Sequence, residues 1–187
     1  MVIIAYEGKS DGEFFDTLLD EYNLDKNEVV YYDFKGKDNL FNINHEHYDE
    51  IEKKYLSKVY KILLVVDADN EKDPNPHRGY DASEKALKKL IEDLDFEDVS
   101  IDYFIMCDDY KEGNLESFLL SVLDDEQKEC IDKFRNCYKY ELTDKWAYNS
   151  FYKQKKEPFD FEHPNFKNLK EKLEKLYEEQ KWQYYQP

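Results

Sequence analysis

The sequence predicts an α/β fold: a mostly parallel sheet flanked by helices, with a helical C-terminal part. Three observations predict it. Short aliphatic runs at residues 2–6 and 59–66 are rich in β-branched residues and do not alternate with polar ones, the pattern of strands buried on both faces. Stretches with apolar residues at helical spacing separate the strand candidates. The order strand, helix, repeated four times, is that of a parallel sheet, and everything from Asp125 onward reads as helix.

Taken in order, the first strand, residues 2–6, runs into Glu7-Gly8-Lys9-Ser10-Asp11. Gly8 allows a tight turn there, and Ser10 or Asp11 can cap the following helix by accepting its free N–H groups. Phe14, Phe15, Leu18, Leu19 and Tyr22 then recur on one helical face. Residues 29–34 form a second strand, stopped at Lys35-Gly36-Lys37-Asp38, and residues 39–57 read as a helix. The run 59–66 is the central strand and ends abruptly in Asp67-Ala68-Asp69. A polar loop with Pro74 and Pro76 leads to a helix at 83–94, and residues 99–106 form the fourth strand. Gly113-Asn114-Leu115-Glu116 opens another helix with Asn114 as its cap, and the last helices are separated near Pro158 and Pro164. This divides the chain into a core at 1–122 and a helical extension at 123–187 packed on it, with one domain spanning 1–187 as the alternative.

At 187 residues the chain is long enough to bury a full core. Its 27 basic and 44 acidic residues give a net charge of −17, which repels nucleic acid at long range. Contact with DNA or RNA therefore needs local lysines, a bound metal or a protein partner, and a protein partner or homodimer stays open. Cys107, Cys130 and Cys137 lack metal-ligand spacing and fit free thiols of a reducing cytoplasm. Cys130 and Cys137, seven apart, share a helical face and are expected in the core. The apolar start is too short for a signal or membrane-spanning segment, so a cytoplasmic protein with no membrane association is expected.

The chemistry concentrates in acids at strand ends. In extended chain, Asp67 and Asp69 put both carboxylates on one side, and such a pair repels itself unless a cation intervenes. Hard oxygen ligands of this kind suit Mg²⁺, with Mn²⁺ as a substitute. Glu7 stands at another strand tip and Glu116 at a helix start, so one sheet edge can gather all four. That arrangement serves metal-assisted phosphoryl transfer, with Glu7 available to move protons. Plainer readings stand beside each: Asp67-x-Asp69 as a solvated loop start, Glu7 paired with Lys9, Asp11 as an N-cap, Glu116 as a capping-box acid. Lys9 and Lys37 can approach a phosphate, or serve solvation alone. His77 and Arg78 read as an exposed pair, and Trp182, Tyr184 and Tyr185 as packing on the core or on a second subunit.

Glu7-Gly8-Lys9-Ser10-Asp11 at the first strand tip, with Asp67-Ala68-Asp69 at the third, resembles the toprim domain of topoisomerases, bacterial primases and OLD-family nucleases. The turn Gly36-Lys37-Asp38-Asn39-Leu40 and the helix start Gly113 to Leu120 look closest to small stand-alone toprim-like proteins allied to the OLD group. The resemblance covers roughly the first 120 residues. It implies a toprim-like, Rossmann-like sheet, Mg²⁺ on Asp67 and Asp69, and Glu7 as metal ligand or general acid/base. In the OLD-like branch it extends the metal ligands to Asp11 and gives a lysine role that Lys145 matches. Where many toprim domains carry a glycine soon after the aspartate pair, this chain has Asn70-Glu71-Lys72-Asp73.

The resemblance thus implies a Mg²⁺-dependent phosphodiester-processing enzyme, a nuclease on DNA or RNA. The alternative is a noncatalytic toprim-like binding module in a defence or regulatory complex. A haloacid-dehalogenase-type phosphatase, with Asp67 as nucleophile, is rejected because its aspartate pair belongs on the first strand and Glu71 stands where Thr or Val is expected.

Overall fold

The computed structural model describes residues 1–55, 58–70, 74–139, 142–151 and 159–178, the side chains of Lys9 and Phe151 excepted. Four strands, β1 (Val2–Tyr6), β2 (Val29–Asp33), β3 (Lys61–Asp67) and β4 (Ser100–Met106), form one sheet in the order β2-β1-β3-β4. All three pairings are parallel. The two central strands are the two unalternating aliphatic runs, because each face of the sheet is covered. Val2, Ile4, Leu63 and Val65 point into one core, while Ile3, Ala5, Leu64 and Val66 point into the other.

The first core is roofed by α1 (Lys9–Glu21), α5 (Leu115–Ser121) and α8 (Lys167–Glu178), with Phe15, Phe166, Leu169 and Leu173 fully buried. The second is roofed by α3 (Glu46–Tyr55) and α4 (Tyr80–Leu94) through Ile51, Leu87 and Leu90. The chain steps outward from β1 to β2 over one face, then crosses back to β3 and on to β4 over the other. Right-handed crossovers require that change of face when the direction of travel reverses. The reversal opens a crevice between the C-terminal ends of β1 and β3, where open α/β sheets bind ligands.

Three expectations need correction. Residues 39–57 are not one helix: a short α2 (Lys37–Leu40) is followed by a break before α3. The side chain of Asn42 accepts the Asn44 N–H, and the Asn42 carbonyl accepts the N–H of His45, so local side-chain bonding displaces the helical ladder. Residues 56–57 lie outside the described ones. Cys130 and Cys137 are exposed, because α6 (Asp125–Cys137) turns Ile131 inward instead, against Leu120, Leu123 and Ala147. The side-chain convergence of Asp67 and Asp69 does not come from extended chain. Strand β3 ends at Asp67, and Asp69 lies in the left-handed region at φ 63°.

The C-terminal helix is continuous with the sheet's own packing. Leu169, Leu173 and Leu176 are buried among α1 and α5, and Lys172 pairs with Asp102 of β4 at 2.7 Å. Among the described residues no helix is long and apolar enough to cross a membrane. The aromatic residues Trp182, Tyr184 and Tyr185 lie outside the described residues.

Candidate metal centre

The register of β1 on β3 pairs Tyr6 with Val65, so Glu7 leaves β1 level with Val66, and Asp67 follows one residue further along β3. Glu7 Oε1 accepts the Asp67 backbone N–H at 3.1 Å. The Asp67 carboxylate accepts the N–H of Leu115, the first residue of α5, at 3.1 Å. Asp69 is held by a bridge to Gly113: its N–H donates to the Gly113 carbonyl at 2.6 Å, and the Gly113 N–H returns to the Asp69 carbonyl at 3.3 Å. Aspartate tolerates the left-handed backbone that this turn demands better than most residues do. One carboxylate oxygen from each of Glu7, Asp67 and Asp69 then lies within 4.8 Å of the others.

The electrostatics of the cluster follow from burial. Glu7 Oε2 is buried and has no hydrogen-bond partner among the described residues. Burial raises the proton affinity of Glu7, against the lowering influence of its hydrogen bonds to Asp67 and of the Lys37 ammonium. Burial, then the neighbouring charges of Glu7 and Asp11, hold Asp67 well above the usual carboxylate range. Asp11 is pushed up to about 7 by burial and by Glu7, Glu116 and Asp33, although its bond from the Gly8 N–H pulls the other way. Half-buried carboxylates this close, one with a buried oxygen lacking a partner among the described residues, make the cluster a candidate cation site.

The expected site residues fall as follows. Asp11 and Glu116 are buried and line the same cleft of about 300 Å³ as the cluster. Gly8, and not Ser10 or Asp11, is the N-cap of α1; Asp11 stands in the first turn, its Oδ2 accepting the Gly8 N–H at 3.1 Å. Glu116 is not the capping-box acid: Asn114 caps α5 by accepting from Ser117, which occupies the position where that acid would stand. Lys145, on α7 (Asp144–Phe151), lines the cleft with its side chain exposed.

Lys37 is placed differently from the expectation of a phosphate-facing amine. Its side chain is 3% exposed, and its ammonium donates to Asp69 Oδ2 at 2.7 Å and to the Asp67 carbonyl. The side chain of Lys9 lies outside the described residues. Of the pair expected to be exposed, Arg78 is exposed but His77 is half-buried, its ring 4.7 Å from that of Phe41 between centroids.

Two contributors escaped the sequence reading. Gly113 pins Asp69, a role that its place before a helix cap did not reveal, and Asn75 of the proline-containing loop lines the cleft.

The fold and the clustered acids together define an α/β protein with a candidate divalent-cation site at the sheet's switch point. Residues 1–158 match the family model described as "Protein of unknown function (DUF3226)", and the chain belongs to that family. No curated protein and no solved structure matches it.

Proposed function

We propose that the chain is a Mg²⁺-dependent, toprim-type enzyme that processes phosphodiester bonds, a nuclease acting on DNA or RNA. The observation that carries the reading is the convergence of three carboxylates within 4.8 Å, one of them with a buried oxygen that has no partner among the described residues. The residues fit Mg²⁺: the donors are hard oxygens, and Glu7, Asp67 and Asp69 would hold it. When bound, the ion supplies Lewis-acid polarisation of a phosphoryl oxygen and a more acidic water.

The chain's own groups supply the rest. Glu7 Oε1 is anchored on the Asp67 N–H, and burial raises the proton affinity of the Glu7 carboxyl, which suits it to proton transfer when it is not ligating the ion. Lys145, exposed on the cleft wall, meets the negative phosphate. Asp11 and Glu116, both buried, line the cleft beside the three ligands.

The net charge of −17 and the engagement of Lys37 within the cluster favour a second reading, a noncatalytic binding module. Purified protein with Mg²⁺ or Mn²⁺ and a panel of single- and double-stranded DNA and RNA separates the two. Under the enzymatic reading, cleavage occurs and falls by about 10²–10⁴-fold in Glu7→Gln, and Asp67→Ala abolishes it together with metal uptake. Silence on every substrate, with no metal bound at millimolar concentration, leaves the module.

A further inference from the structure

Lys37 is a long cationic side chain with almost no exposure, an arrangement that is rare unless the charge is paired. It reaches the cluster from the far side of the sheet. Strand β2 ends at Asp33, Gly36 turns the chain at φ 133°, and α2 begins at Lys37, aiming its stem across the end of β1. The ammonium then meets the Asp67 carbonyl, the Ala68 carbonyl at 3.4 Å and Asp69 Oδ2 at 2.7 Å. Those contacts span the left-handed turn that delivers Asp69. Among the described residues, Lys37 is the cation bonded to the cluster.

We infer that Lys37 is a positioning residue that holds Asp69 in its ligating pose and sets the valence of the ion the site accepts. The inference rests on the metal-site reading above. Bound carboxylates are deprotonated, so Glu7, Asp67 and Asp69 contribute three negative charges, and the Lys37 ammonium cancels one. The four groups together then carry two net negative charges, against three without Lys37, so the ammonium biases the site away from trivalent ions. Asp11 and Glu116 line the cleft outside the three-carboxylate cluster, and their field acts alike on native and variant chains. The Asp69 carboxylate has a second oxygen, so holding Oδ2 by the ammonium orients the other toward the ion, as outer partners of metal ligands do.

The test compares Mn²⁺ and Tb³⁺ binding to the full chain by isothermal titration, in the native protein, in Lys37→Met, which keeps the stem and removes the charge, and in Lys37→Arg, which keeps the charge. The native chain is expected to bind one Mn²⁺. Lys37→Met is expected to weaken Mn²⁺ by about tenfold through the loosened Asp69. It is also expected to shift the Mn²⁺-to-Tb³⁺ ratio of dissociation constants at least about tenfold toward Tb³⁺, since a trivalent ion gains more from the lost repulsion. Lys37→Arg is expected to keep the native ratio.

If Lys37→Met does not fold, Lys37→Gln, which keeps a polar donor and removes the charge, carries the test. Its cluster has three uncancelled negative charges, so the ratio must move at least about tenfold toward Tb³⁺. Equal weakening of both ions, or no change in either, overturns the role of Lys37 while the metal site stands. A native chain that takes up neither ion overturns the metal-site reading and this inference with it.

Discussion

At the scale of single residues, the site depends on a glycine outside the acidic cluster. Gly113 sits at φ 94°, and a Cβ built on it would lie 2.3 Å from Ser117 Oγ and 2.4 Å from Ser117 Cβ. Its two backbone hydrogen bonds to Asp69 are what keep that aspartate in its left-handed turn. Gly113→Ala meets both the strain of the positive φ and the clash with the first turn of α5. It is expected to destabilise the protein by about 1–3 kcal/mol. It is also expected to weaken Mn²⁺ binding by roughly 10–100-fold, the range for loss of a ligand's supporting partner. Thermal unfolding and titration check the two effects separately. A stable variant with native Mn²⁺ affinity would show that the Asp69–Gly113 bridge does not organise the cluster.

At the scale of elements, α8 decides whether the helical C-terminal part is an appendage or a piece of the core. Leu173 is fully buried in the cluster that also holds Phe14, Phe15 and Phe118, so one face of the sheet is incomplete without this helix. Leu173→Ala is expected to cost about 2–5 kcal/mol, with unfolding in denaturant remaining a single transition. An early separate transition, or a loss below about 0.5 kcal/mol, would make α8 a detachable element. The strands and most helices were legible in the sequence, because β1 and β3 are aliphatic without interruption and Leu87, Leu90 and Leu94 of α4 keep strict helical spacing. Glu7 and Asp67 were legible for the same reason: each directly follows such a run. The break at Asn42–Asn44, the outward face of Cys130 and Cys137 and the destination of Lys37 were not. Each depends on a choice between competing partners, local for the asparagines and across the sheet for the lysine, and a one-dimensional pattern does not encode that choice.

At the scale of the whole molecule, two electrostatic effects oppose folding as pH rises, and they separate by their response to salt. The first is general repulsion within a chain of net charge −17, which falls on exposed groups and is screened by salt. The second is local. Burial pushes Asp11 up to about 7 in the folded chain from an ordinary value of 3.8, and shifts Glu7 and Asp67 in the same direction. For a carboxyl whose folded value is raised, the unfolded chain gives up its proton first. The contribution of these groups to stability is therefore full below about pH 4 and is lost as pH rises toward and through about 7. The melting temperature of the chelator-treated protein is expected to fall by roughly 3–10 °C across that window. The fall should survive high salt, because the groups are buried, and Asp11→Asn should remove part of it. Saturating Mg²⁺ or Mn²⁺ should flatten it, since an ion that binds only the folded form stabilises more as its ligands deprotonate. A slope abolished by salt alone would assign the effect to the surface, and a slope indifferent to both ions would mean that nothing divalent binds among these acids.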